Sequence, residues 1–346
     1  MAWKKLSLFA VGISIIALLL WWAGIDEVIA ILEDSRIEYL VLAFLVYIVG
    51  LLAWAMRWKV LIDALNMDAP FSKILTALMA GIFVNNATPG ARGGGEPVRT
   101  YFLAKEIEMP YGPVFATVMM DRILDLIPVV GMLAVATAYV YSLGSRSLAV
   151  VLIFLDAVFF GLVAFTLGIL LSEKKTKGAL RWFFRRIERF LPAVAEKYRE
   201  KFERIVEVDV PRFQNDFRFL MTHKKAFLLA MIYSTVSWLT VVVRGYYAFL
   251  AIGYPVKFAD VVVVQMVGMV VGMLSVIPGG AGLIETVNSG TYVLLGIEKE
   301  HAVTATILDR LISYWIPTAV GAVATTHLGT KIRRKKKGLI RQIPKD

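Results

Sequence analysis

Apolar residues fall into eight runs along the chain, at 6–23, 39–56, 71–84, 111–143, 148–171, 226–250, 258–277 and 302–328. The first, second, fourth, fifth, sixth and last have the length of a membrane-crossing helix. The run at 71–84 does not: its 14 residues make roughly 21 Å of helix against a hydrocarbon core of about 30 Å. A glycine-rich turn and a shorter arm at 96–105 follow it, so residues 71–105 read as a re-entrant hairpin. Residues 258–296 read as a second hairpin. Its first arm, 20 residues to position 277, has the length to span alone, but its second arm, 285–296, does not. Non-helical backbone at membrane depth is tolerated only where it is buried in protein or lines a wet cavity.

The two hairpin tips match. NNATPGARGGGEPVR at 85–99 and SVIPGGAGLIE at 275–285 each pass from Pro-Gly through glycines to a glutamate seven residues after the proline, Pro89 to Glu96 and Pro278 to Glu285. Downstream, ATVMMDRILDLIP at 116–128 aligns with ATILDRLISYWIP at 305–317, so Asp121-Arg122 and Asp309-Arg310 follow 25 and 24 residues after their glutamates. The chain therefore carries an internal repeat. Counting crossings, the first hairpin opens to one side of the membrane and the second to the other. The expectation is an all-α polytopic integral membrane protein with inverted-topology repeats, about six spanning helices and two re-entrant helical hairpins. Inverted repeats whose broken helices meet near the midplane place a transport site at the repeat interface.

Composition agrees: 58% of the 346 residues are hydrophobic and 19% charged, too apolar for a soluble domain of this length. The formal charge of +11 is concentrated at 173–225 and in the tail at 331–346. Basic segments flanking apolar runs mark the cytoplasmic face and anionic lipid, and nucleic acid is not expected as a partner. Both termini are then cytoplasmic and the protein sits in the cell membrane. The acidic segment 24–38 lies outside, the cationic and aromatic end Arg57, Trp58 and Lys59 lies at the inner interface, and Arg244 falls near the outer part of its span. The divisions expected are 1–36 (first span and outer loop), 37–171 (first repeat), 172–225 (cytoplasmic amphipathic linker), 226–330 (second repeat) and 331–346 (basic tail). In the linker, Leu180, Phe183, Phe184, Ile187 and Leu191 recur at helical spacing among arginines, the pattern of an interfacial helix. A solvated hairpin joining two halves is the plainer reading. With no cysteine and three scattered histidines, neither thiolate chemistry nor a metal site is expected, and no cofactor.

Glu96, Arg99, Asp121, Arg122, Asp125, Glu285, Asp309 and Arg310 stand on or beside the apolar runs. At about 2.5 to 3.5 kcal/mol each at a helix centre, eight exposed to lipid would cost some 20 kcal/mol, above the roughly 5 to 15 kcal/mol that stabilises a domain. They must be paired, interfacial or in a polar cavity. One reading makes the Asp-Arg pairs staples holding residues of other helices, each Asp and Arg with its own partner because sequence neighbours do not share a helix face. The other puts them on a substrate path. Gly90, Gly93, Gly94 and Gly95, with Gly279, Gly280 and Gly282, either pack the hairpins tightly or present successive backbone N–H groups to a phosphate, aided by Arg92 and Arg99. Asn85, Asn86 and Thr88 are placed to bind a headgroup or an ion, or to cap the broken helix, with Gln265 and Asn288 as weaker counterparts. GARGGGE lacks the Gly-Lys-Ser/Thr ending of a nucleotide-binding loop.

With N-x-x-P-G…G-E-x-x-R at 86–99, D-R-x-x-D at 121–125 and P-G-G-x-G-x-x-E at 278–285, the chain resembles the lysylphosphatidylglycerol synthase transmembrane family, also called flippase-like domain proteins, over nearly its whole length. The multiple peptide resistance factors fuse similar membrane domains to a soluble aminoacyltransferase domain, which has no counterpart in this sequence. The resemblance implies translocation, not aminoacyl transfer. The expected function is a lipid translocase moving an anionic, aminoacylated or polyprenyl-phosphate-linked lipid between leaflets by alternating access, with a lipid-synthesising enzyme as partner. Two readings compete with it: an ion-coupled transporter of a small solute, and a membrane-embedded glycosyl or aminoacyl transferase.

Overall fold

A computed structural model describes residues 2–88 and 94–341, and these form helices joined by short turns, with no strand among them. The chain is an all-α polytopic membrane protein. α1 (Ala2–Ala23) and α2 (Ile25–Glu33) meet at an 86° bend. Gly24 makes the bend with φ +96, a left-handed conformation that side chains resist. α3 (Ile37–Ala64) precedes the first hairpin, α4 (Phe71–Ala87) and α5 (Gly95–Glu106). α6 (Tyr111–Ser142) and α7 (Arg146–Leu170) follow. Next come α8 (Glu173–Phe190), α9 (Pro192–Arg204), a π turn (Ile205–Asp209) and α10 (Val210–Thr222). α11 (Lys224–Ala251) precedes the second hairpin, α12 (Phe258–Leu274) and α13 (Leu283–Leu294). The chain ends with α14 (Lys299–Arg310), a π turn (Leu311–Trp315) and α15 (Ile316–Arg341).

Four helices, α3, α6, α7 and α11, are long and apolar enough to cross a membrane, with the bent α1–α2 pair as a fifth candidate. The remaining expected span, 302–328, is interrupted by the π turn at Leu311–Trp315. Pro317 stands two residues after Trp315, and a proline without an N–H cannot complete the ladder to the turn before it. The hairpin arms also differ from expectation. α4 runs three residues beyond the apolar stretch to take in Asn85 and Asn86, and α12 stops at Leu274, so each first arm has 17 residues. The return arms, α5 and α13, have 12 each. At about 25 Å, a 17-residue helix falls short of the hydrocarbon thickness.

α3 and α11, 28 residues each, lie antiparallel at the centre. The Arg36 N–H donates to Ala251 O (2.8 Å) at one end, and the Ser237 hydroxyl donates to Gly50 O (3.3 Å) midway. A side chain at Gly50 would collide with Thr240 Oγ1, 2.2 Å from its Cβ position. The hairpins are exchanged across this pair. α4 packs along α15, where Gly321 sits against Met79 O. α12 packs along α6, joining Val129 and Leu133 to Met266 and Val270.

The segment between the halves is not uniformly superficial. α10 buries Phe213, Phe217 and Leu220 against Leu61 of α3, Ala116, Met120 and Leu124 of α6 and Ala230 of α11. Spacings of three and four residues put those three side chains on one face, and that face joins the core.

Candidate functional site

The first hairpin is closed by Asn85. Its Oδ1 accepts the Gly95 N–H at 2.6 Å, one of the donors a helix start leaves unpaired. Its Nδ2 donates to Glu96 Oε1 at 3.3 Å. α4 and α5 cross so closely at Gly81 and Gly95 that a Cβ on Gly95 would lie 2.2 Å from Gly81 O. Gly94 faces Thr88 in the same turn. Pro89, Gly90, Arg92 and Gly93 lie outside the described residues.

In the second hairpin, Pro278, Gly279 and Gly280 are buried in a tight turn, with φ +58 at Gly279. Gly280 N–H donates to Ile277 O, Ala281 N–H to Pro278 O, and Gly282 N–H to Glu285 Oε2 at 2.8 Å. These donors hold the tip together and are not presented to a phosphate. Gly282 (φ +80) lies beneath α1, its Cβ position 2.6 Å from Gly12 O.

Each Asp and Arg of the two doublets has its own partner. Arg122 Nε donates to Glu96 Oε1 at 2.6 Å, and Arg310 Nε to Glu285 Oε1 at 2.8 Å. Asp121 holds Arg57 Nε at 2.5 Å and Arg99 Nη2 at 2.8 Å. Asp309 holds Arg244 Nε at 2.7 Å and Nη2 at 3.3 Å. Arg57 also contacts Asp125 and donates to Ser234 Oγ at 2.8 Å. Indole N–H groups of Trp54 and Trp238 complete Asp121 and Asp125, at 2.9 and 3.0 Å. Five arginines and five carboxylates are thus neutralised together, the arrangement that offsets the cost of charge at membrane depth.

Sequence reading missed Arg57 and Arg244 as members of this set. Arg57 and Trp58 are fully buried, so they are not an interfacial anchor, and Arg244, 6% exposed, stands in the last third of α11 and faces the protein interior. Each arginine is the twenty-first residue of its helix. Extending the repeat alignment upstream would have paired them.

A cavity of about 710 Å³ opens between the halves. Nine of the expected site residues are in its wall: Asn85, Asn86, Glu96, Arg122, Asp125, Gln265, Asn288, Asp309 and Arg310. Arg244 joins them, while Arg99 and Asp121 pack among buried side chains and Glu285 is consumed by the hairpin tip and Arg310. Much of the remaining lining is apolar, with Phe115, Met119, Ile123 and Leu126 from α6, beside Arg122 and Asp125 of the same helix, and Phe159, Leu162, Val163 and Leu170 from α7. Leu162, in this apolar lining, is 45% exposed. Where the tips approach, Tyr314 packs against Gly279 and under Arg310 (4.3 Å), with its hydroxyl 3.3 Å from Asn86 O and 3.4 Å from Pro278 O. Asn86 Nδ2 donates to Thr318 at 2.8 Å.

These features define a polytopic helical membrane protein with a cavity lined by both charged and apolar side chains. The chain belongs to the family of the lysylphosphatidylglycerol synthase TM region, whose model matches residues 9–321. It is 36% identical over 321 residues to the UPF0104 membrane protein PH1989 of Pyrococcus horikoshii, covering 92% of this chain and 96% of that one. It is 28% identical over 335 residues to the UPF0104 membrane protein MJ1595 of Methanocaldococcus jannaschii, covering 96% and 97%. A third relative, glycosyltransferase AglD of Haloferax volcanii, is 24% identical over 341 residues, 90% of this chain and 53% of that protein.

Proposed function

We propose that this protein is a lipid translocase that carries a phosphate-bearing lipid headgroup through the cavity while the acyl chains stay against the apolar wall. The carrying observation is the mixed lining of one cavity: the charged side chains of Glu96, Arg122, Arg244, Asp309 and Arg310 together with a large set of apolar side chains from α6 and α7. A vestibule for a small soluble solute has no use for so extensive an apolar lining. Equal arm lengths, the antiparallel α3–α11 pair and the exchanged hairpins support two inverted repeats that rock against each other around the site. The positive-inside bias of the basic tail supports cytoplasmic termini in a cell-membrane protein.

On this reading the protein performs no covalent chemistry. The lining carboxylates Glu96, Asp125 and Asp309 each pair with an arginine, which suits charge balance around a headgroup. The match to AglD spans about half of that protein and does not by itself carry a transferase activity here.

The test is transfer of fluorescent phosphatidylglycerol between leaflets of proteoliposomes, read by dithionite quenching. Arg122→Gln and Arg310→Gln, each with an unchanged elution profile, are expected to slow transfer at least tenfold. Transfer at the wild-type rate in both would refute the headgroup path.

A further inference from the structure

α8 begins two residues after α7, the helix whose side chains down to Leu170 line the cavity. The segment behind it is fastened to that end of α7. Gln214 Nε2 donates to Leu170 O at 2.6 Å, Arg218 Nη2 to Leu171 O at 3.4 Å, and Thr176 Oγ1 to Ile169 O at 2.8 Å. α8 is therefore held at the end of α7 where its cavity-lining side chains stop.

Its inner face is committed. Phe184 stacks on Phe202 of α9 at 4.0 Å between centroids. Lys177 and Arg181 pair with Glu207 at 3.0 and 2.6 Å, and Glu188 pairs with Arg199. The outward arc is different in kind. At about 100° per residue, Lys175, Arg185, Arg186 and Arg189 fall on one exposed half of the helix, together with Trp182 (56% exposed), Phe183 (60%) and Phe190 (71%). Arg186 lies over the Trp182 ring at 5.3 Å. Neither of the acidic residues of α8, Glu173 and Glu188, falls within this arc. Interleaved cations and large aromatics suit the headgroup and upper acyl layer of an anionic leaflet, where the rings immerse and the cations stay among phosphates. A soluble acidic partner would meet the cations but leave three large apolar side chains without cover.

We infer that the outward face of α8 is an anionic-lipid docking surface that holds the mouth of the cavity at the leaflet. It concentrates negatively charged headgroups beside α7, a function separate from recognition inside the cavity.

The chain has no cysteine, so a nitroxide on Ala179→Cys reports on this face without background. Full-length labelled protein is reconstituted in phosphatidylcholine vesicles with and without 30% phosphatidylglycerol, and power saturation compares access by oxygen and by a water-soluble nickel chelate. Oxygen-dominated access is expected in the anionic vesicles, and water-type access in neutral vesicles or at 1 M salt. One cation near an anionic leaflet biases the equilibrium roughly fivefold. The triple change Arg185→Gln, Arg186→Gln, Arg189→Gln, made in the labelled chain, therefore lowers the ratio of immersed to water-exposed α8 by roughly a hundredfold. It leaves the cavity arginines untouched, so loss of immersion with slowed but surviving lipid transfer separates docking from transport. Equal, water-type access in neutral and anionic vesicles would overturn the inference. So would immersion that the triple substitution does not change.

Discussion

The Arg244–Asp309 pair gives a measurable test of how the cavity is held together. Both side chains are under 10% exposed, and among the described residues Asp309 has only Gln265 Nε2, at 3.5 Å, as another hydrogen-bond donor. Replacing Arg244 by Met keeps the bulk of the aliphatic stem and strands a buried carboxylate, a change that costs about 3–5 kcal/mol in buried pairs. Taking roughly 2 °C per kcal/mol, the low end of the range for large domains, the melting temperature falls by roughly 6–10 °C. Adding Asp309→Leu removes the stranded charge and is expected to recover most of that loss, because an apolar replacement of a whole buried pair is often neutral or better. The assay is fluorescence-detected thermal unfolding of the detergent-solubilised protein for wild type, both single variants and the double. A loss under about 1 kcal/mol in Arg244→Met would refute the reasoning, since the pair would then behave as a solvated one. Leaflet transfer completes the test: the double variant is expected to be stable and inactive, because both residues line the cavity. A stable, fully active double variant would reduce the pair to scaffolding.

Gly282→Ala forces a side chain into φ +80 and against Gly12 O and Ile15 of α1, so it is expected to destabilise by about 1–3 kcal/mol, read by the same unfolding assay. Glu285→Gln keeps the volume but weakens the bonds to Gly282 N–H and Arg310; a loss of about 1–3 kcal/mol is expected, with any transport defect tracking the melting temperature. Unchanged stability together with abolished transfer would give Glu285 a direct role instead. In the linker, the Lys177 ammonium holds the Glu207 carboxyl below its ordinary value. A depressed folded value stabilises above the unfolded pKa and is lost as pH falls through the folded one. The α8 tether is therefore expected to persist from neutral pH to about pH 4 and to loosen in stronger acid, seen as a lengthening between spin labels at Ala179 and Val208.

Run lengths and glycine-proline punctuation alone determined that this chain is a helical membrane protein with two short hairpins, because helix length against bilayer thickness is a one-dimensional property. The cost of intramembrane charge likewise required partners for Asp121, Arg122, Asp309 and Arg310 before any partner was known. What the chain order left open was who those partners are. Arg57 reaches Asp121 and Arg244 reaches Asp309 only because α3 and α11 cross beside α6 and α14, and nothing local to an arginine flanked by tryptophans separates that outcome from an interfacial anchor. The glutamates illustrate the same limit. Glu96 and Glu285 occupy matching motif positions, yet Glu96 reaches the cavity wall while Glu285 is consumed inside its own turn. Sequence spacing sets where a charge stands along its helix; only the packing of helices distant in the chain decides which side it faces and what it meets there.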